Sequence, residues 1–198
     1  RQFFTEGTEL FNKAGLFYSR RVGAMPAGYF DVQNFVDANA NWKILKNPST
    51  SQLINATKFS GRNKHKLGVG IFNAIAAPMD ARIHNTISGK DSTIRTSELT
   101  NYNIIVLDQA LKGRSSVTFT NTNVLRNGHG EDANVTSVDL ALYNKTNRYA
   151  FNGTARYSKI WGVNSYDGYN VTAKYGKVSG AWRYYVLNSV LSKTYDPN

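Results

Sequence analysis

Three histidines are the first residues to test for chemistry, because His is the commonest metal ligand and the side chain that titrates nearest neutral pH. His65, His84 and His129 fall in separate predicted turns or loops. None has a second ligand at metal spacing, such as i, i+4 on a helix or a nearby Cys. The loop Gly128-His129-Gly130-Glu131-Asp132 offers adjacent carboxylates. Ca²⁺ takes roughly six to eight oxygens, so this stretch reads as a plain loop. Asp80 and Asp108 have no partner acid at a readable spacing, and no glycosidase carboxylate pair can be assigned. There is no Gly-x-Ser-x-Gly elbow and no phosphate-cradling loop. The absence of Cys removes a thiolate metal site, a cysteine nucleophile and a disulfide scaffold. No metal or cofactor is expected. The sequons at Asn55, Asn134, Asn144, Asn152 and Asn170 lie mostly in or beside predicted strands and read as chance matches.

Glu6, Arg20 and Arg21 stand out differently: they are charges set among aromatic residues near the N-terminus. Their functional reading is an ion-pair cluster that holds a plug or lines a path. Their structural reading, the preferred one, is a charge-satisfied network that orients the N-terminal segment.

Such residues act only if elements position them, and the composition narrows those elements. The chain has 198 residues, enough for one domain with a sizeable core. Its hydrophobic content is 41% and its mean hydropathy −0.43, and no run approaches the roughly 18 apolar residues of a spanning helix. With 12 Tyr, 10 Phe, 3 Trp and 16 Gly against 4 Pro, the mix suits strands and tight turns. The net charge of +11 suggests nucleic acid, but the basic residues are scattered rather than gathered on one face, so no nucleic-acid partner is expected. No signal segment follows Arg1; the chain is expected to be mature or cut from something longer.

Residues 1–50, broken by Pro26, Gly28 and Pro48, read as short strands and loops entering the main unit, 51–198. From Ser51 a unit recurs: strand, short basic turn, strand, longer loop. The short turns are 61–66, 112–114, 144–148 and 177–180; the longer connections are 78–100, 127–133 and 161–168. The flanking runs alternate with period two, as hairpins require. Tyr149, Phe151, Gly153, Ala155 and Tyr157 oppose Asn152, Thr154, Arg156 and Ser158; Tyr169, Val171, Ala173 and Tyr175 oppose Asn170, Thr172 and Lys174; Val138, Leu140 and Leu142 oppose Ser137 and Asp139. A charge in mid-strand needs water or a partner. Arg156, Lys174, Asn152 and Asp139 are therefore the candidate residues of a wet lumen.

The expected fold is all-β: an antiparallel up-and-down meander forming part of a transmembrane outer-membrane β-barrel. At least eight strands are predicted between Ser51 and Lys193, with no helix beyond two turns. A soluble β-sandwich shows the same alternation with the faces exchanged. Segments of about 10–13 residues favour the barrel, since soluble strands run roughly 5–6. So do aromatics toward strand ends, at Tyr149, Tyr157, Trp161, Tyr169, Tyr175 and Trp182. Trp182–Ser192 and Ser51–Ser60 alternate poorly.

The opening Arg1-Gln2-Phe3-Phe4-Thr5-Glu6-Gly7, with Leu10-Phe11 and Leu16-Phe17-Tyr18-Ser19-Arg20-Arg21-Val22-Gly23, resembles the start of a barrel domain of unknown function in Gram-negative envelope proteins. In those proteins it follows a domain like the family-9 carbohydrate-binding modules. Ala56–Arg62, Leu67–Ala74, Asn101–Asn103, Val106–Gln109 and Asn121–Val124 are similar to that family too. The resemblance implies a bacterial outer-membrane location, a link to carbohydrate and contact with other envelope proteins. It carries over no catalytic residue, and a carbohydrate-binding domain would precede Arg1. The end, Ser192–Asn198, lacks a closing aromatic strand, so the barrel is expected to continue past residue 198.

The function expected is a non-enzymatic anchor or pore in the lipid bilayer, whose basic lumen would favour neutral or acidic solutes over cations. The rivals are an envelope hydrolase acting on carbohydrate, with its site in 78–100 or outside this sequence, and a soluble β-sandwich binding module; a convergent acid, base and nucleophile set is not visible.

Overall fold

The computed structural model describes residues 9–12, 15, 22–128 and 130–197. In chain order the elements are α1 (Glu9–Asn12), α2 (Tyr29–Ala38), β1 (Trp42–Lys46), β2 (Leu53–Arg62), β3 (Leu67–Ala76), β4 (Met79–Asn85), β5 (Asp91–Ser97), β6 (Thr100–Ala110), β7 (Ser116–Arg126), β8 (Asp132–Tyr143), β9 (Tyr149–Trp161), β10 (Tyr166–Lys177) and β11 (Tyr184–Leu191). The fold is all-β and antiparallel throughout, in two sheets. One is an eight-stranded meander in the order β11-β10-β9-β8-β7-β6-β3-β2, and the other has three strands ordered β1-β4-β5.

The hairpin turns are written by asparagines. Asn63 Oδ1 accepts the backbone N–H of His65 at 2.9 Å and of Leu67 at 3.0 Å, which lets Lys66 take φ 65°. Asn144 Oδ1 does the same for Arg148 at 2.9 Å and Tyr149 at 3.1 Å, with Asn147 at φ 51°. An Asx side chain that mimics a backbone acceptor stabilises such turns and fixes the register of the strands they join.

The N-terminal quarter departs from the expected strands and loops. α2 is a helix of 10 residues, longer than the two turns anticipated. Pro26 and Gly28, taken as breakers, punctuate its start: the Tyr29 N–H closes onto the Pro26 carbonyl at 3.0 Å, and Asp31 lies in the first turn, where a carboxylate suits the helix dipole. Val32 and Val36, four apart, place one stripe on the small sheet, where Val32, Ala81 and Ile83 form a core flanked by Trp42, Ile44 and Ile94. The connection 78–100, expected to be a loop, holds the β4–β5 hairpin. Its strands are short and carry Asp80, Arg82, His84 and Arg95, which masked the alternation of the buried Ala81 and Ile83.

The expected contrast between short turns and long loops also fails. Apart from the β4–β5 excursion, the connections 127–131 and 162–165 are as brief as the turns at the opposite end. The two poorly alternating segments are the two edges of the large sheet. β2 has an irregularity between Leu53 and Asn55, and every residue of β11 is exposed. Edge strands lack a neighbour on one side, so fewer of their positions are constrained by packing. Among the described residues no strand pairs with the free edge of either.

Candidate functional site

Eight strands in fixed register give the large sheet two faces of opposite character. One face, called inner here, is buried or half-buried from β3 to β10; the other carries exposed apolar side chains. The inner face carries a polar row that runs straight across the sheet: Arg62, Gly68, Asp108, Thr118, Asp139, Thr154, Thr172 and Ser189 are successive cross-strand neighbours from β2 to β11. Its members bond laterally. Asp108 takes Arg62 Nη2 at 2.5 Å and Thr118 Oγ1 at 2.8 Å. Asp139 takes Thr154 Oγ1 at 2.8 Å and Ser137 Oγ at 2.7 Å, and the hydroxyls of Thr172 and Ser189 lie 3.1 Å apart. Asp108, Ser137 and Ser158 are each 0% exposed. A buried carboxylate must be paired and hydrogen-bonded, and Asp108 is both.

Toward the 77–99 end of β2, β3 and β6 the inner face turns apolar, and α1 and Val22 pack on the inner face of these strands. Phe11 of α1 is fully buried with Val22, Phe72, Ala74, Ile104 and Val106. Two inner glycines of β3 make room. A Cβ on Gly70 would sit 3.2 Å from the Phe11 ring, and one on Gly68 would sit 2.8 Å from Leu10 and 3.1 Å from Arg62. The other end of the chain also turns inward. Asp196 N–H donates to Ser158 Oγ at 3.1 Å, Tyr166 Oη to Asp196 at 3.2 Å, and a Cβ on Gly168 would collide with the Tyr195 backbone.

The outer face carries the apolar residues. Gly61, Val69, Leu107, Phe119, Val138, Ala155, Val171 and Val190 form one cross-strand row without a polar side chain. The apolar band is broadest on β9 and β10, where Tyr157, Val171 and Tyr175 are 48%, 44% and 53% exposed. At one border Tyr149 stacks on Tyr175, with ring centres 6.3 Å apart. At the other, asparagines knit the strands: Asn73 Nδ2 donates to Asn101 at 2.7 Å and to Asn103 at 2.8 Å, and Asn121 meets Asn134 at 3.1 Å.

Of the residues singled out in the sequence, Asn152, Lys174, Arg156 and Asp139 all lie on the inner face, opposite Phe151, Tyr157, Val171 and Tyr175. Asn152 and Lys174 are cross-strand partners in the wall of a cavity of ≈ 480 Å³, and Lys174 Nζ rests 4.1 Å from the Tyr185 ring centre. Asp139 belongs to the polar row, and Arg156 stands half-buried between Ser137 and Asn170. Glu6, Arg20, Arg21 and His129 lie outside the described residues. His65 occupies an exposed turn, whereas His84 is on β4 and not in a loop; its Nδ1 lies 2.7 Å from Asp91, which also takes Arg82 at 3.1 Å. Asp80 holds Arg95 Nε at 2.6 Å, and Asp132 accepts the Arg126 backbone N–H at 2.6 Å, closing the 127–131 loop.

Sequence reasoning missed the Arg62–Asp108 pair and the contribution of Arg183 and Tyr185 to the cavity. The pair spans 46 positions and becomes visible only once β3 is known to pair with β6 across the β4–β5 excursion. Its signal was the glycine alternation of Leu67-Gly68-Val69-Gly70, which marks a close approach by another part of the chain. None of the curated proteins and none of the solved structures matches this chain. One family model does match, over residues 1–198, and the chain belongs to that family, the Domain of unknown function (DUF5916).

Proposed function

We propose that the eight-stranded sheet is membrane-crossing wall of an outer-membrane β-barrel, acting as an anchor or pore and not as a catalyst. The observation that carries this reading is the inversion of the faces: hydroxyls and the Asp108 carboxylate are buried inside, while Leu107, Phe119, Tyr157, Val171 and Tyr175 are bare outside. In water that arrangement leaves a large apolar patch exposed, which monomeric soluble proteins rarely tolerate. In a bilayer it is the stable one, because lipid takes the apolar band and the interior stays polar. In the large sheet every strand but β11 has 10 to 13 residues, enough for the roughly 9–11 that a tilted crossing needs. In this reading the free edges of β2 and β11 are joined through further strands, and the helix-bearing small sheet lies outside the bilayer. Net basic charge on the inner face, from Lys58, Arg62, Arg126, Arg156 and Lys174 against Asp108 and Asp139, would turn cations away and admit neutral or acidic solutes. Carbohydrate is the solute class we put first, and the envelope the setting, on the resemblance of the opening segment.

The intact protein is expected to fractionate with outer membranes and to need detergent for extraction. Recovery in the soluble fraction as a stable monomer would overturn the reading and place the outer face inside a sandwich. A glycan-binding screen paired with an assay for released sugar separates a pore or anchor from a hydrolase, since turnover by this chain would contradict a non-catalytic role.

A further inference from the structure

The cavity between β9, β10 and β11 is lined by Asn152, Lys174, Lys177, Arg183 and Tyr185 over a floor of Ala150 and Gly176. Ala150 and Gly176 are cross-strand partners and both are buried, the space a Gly176 side chain would take being filled by Tyr184 and Tyr185. Lys174, Lys177 and Arg183 all belong to its lining, and among the described residues no carboxylate pairs with any of them. Elsewhere in the fold Arg62, Arg82, Arg95 and Lys159 each have an acidic partner. Lys174 is braced instead by the face of Tyr185, at 4.1 Å, and Arg183 Nε donates to the Gly180 carbonyl at 3.4 Å. A cation–π contact orients an ammonium group without neutralising it. Cations gathered in a partly enclosed, largely apolar hollow repel one another and create a positive potential that an incoming anion relieves. The volume of ≈ 480 Å³ lies within the roughly 300–1,000 Å³ of small-molecule sites.

We infer that this cavity binds a small organic anion, a carboxylate or phosphate monoester attached to a ring-sized body. Lys174 and Arg183 hold the charged group, the Arg183 fork being suited to two oxygens at once. Asn152 supplies an amide to a polar substituent of the ligand. The site concerns the chemistry of one cavity and stands whether or not the sheet crosses a bilayer.

Calorimetric titration of the intact protein in detergent tests it with three probes: phenyl phosphate, benzyl alcohol (the neutral body) and inorganic phosphate (the charge alone). Phenyl phosphate is expected to bind at least tenfold more tightly than either of the others. Lys174→Met and Arg183→Met should each weaken it about tenfold, whereas Lys174→Arg retains most of the affinity. An unchanged thermal midpoint for each variant keeps a folding defect apart from a binding defect. A parallel arm measures reconstituted protein against phosphatidylcholine vesicles with and without phosphatidic acid. Lys174-dependent binding of soluble phenyl phosphate assigns a solute; Lys174-dependent engagement of phosphatidic acid alone assigns a lipid headgroup as the source of the same anion. Benzyl alcohol binding as well as phenyl phosphate, or no response in either arm, overturns the site.

Discussion

Two contacts made by single residues can be tested without reference to membranes. Gly70 is bare because Phe11 occupies the space a side chain would fill, at 3.2 Å. Gly70→Val should therefore overpack this junction and destabilise by about 1–3 kcal/mol, read as a lowered thermal midpoint. Gly61, in the neighbouring strand on the outer face, meets only a Phe59 ring atom at 3.9 Å, so Gly61→Val should be neutral or mildly stabilising. Equal losses in both would mean that α1 does not dock where described. Asp91 supplies the second case. Its carboxyl is held below the ordinary 3.8, chiefly by the hydrogen bond to His84, which outweighs the opposing desolvation, with a lesser contribution from Arg82. A depressed acid stabilises the fold above its unfolded value and loses that contribution as pH falls through its folded value. The local effect is thus present above about pH 4 and fades below it. In an NMR titration His84→Ala should move the Asp91 midpoint up toward 3.8, and an unmoved midpoint would rule out His84 as the cause.

At the scale of the strand, alternation does the assigning, and a one-residue step exchanges faces. Val171 is bare on the outer side, while Thr172 points inward to Ser189 at 3.1 Å. If the outer side meets lipid, Val171→Arg should cost roughly 2–4 kcal/mol in a folding titration from detergent or urea, and Thr172→Arg clearly less. Equal tolerance would contradict a lipid-facing outer side. This alternation was legible in the sequence for β8, β9 and β10, because each is flanked by partners that constrain both of its faces. Those strands carry Asn152, Lys174, Arg156 and Asp139 on one face of the sheet. β2 and β11 were illegible for the opposite reason: an edge strand answers to one neighbour, and runs such as Tyr184-Tyr185-Val186-Leu187 face no packing that would enforce a pattern. α2 was missed because its helical signal rests on Val32 and Val36 alone, set beside breakers that were in fact its start.

For the whole molecule, the long-range assembly was the least visible part. The meander order followed from turn chemistry, but the pairing of β3 with β6, the burial of Phe11 against both, and the return of Asp196 to Ser158 all join residues far apart in the chain. No local pattern reports such contacts. The site shows the same division: Asn152 and Lys174 were legible from mid-strand polarity, whereas Arg183 and Tyr185 belong to it only because β11 folds back on β10.

The β4–β5 excursion between β3 and β6 bears on how the molecule assembles. Every other neighbouring pair in the large sheet is joined by a brief turn and is free to zip as soon as that turn forms. β3 and β6 must instead close a connection running from 77 to 99. Loop closure costs entropy that grows with the logarithm of length, and such non-local pairings slow folding. A hairpin within the connection draws its ends together using only local contacts, through Asn85 Oδ1 accepting the Ile87 and Ser88 N–H groups and Gly89 at φ +68°. The meander from β6 to β11 and the β2–β3 hairpin are thus set to form as separate nuclei, with β4–β5 as the splint that lets them meet. The floor under Phe11, built from both β3 and β6, is complete only after that meeting, so the seat of α1 depends on the splint.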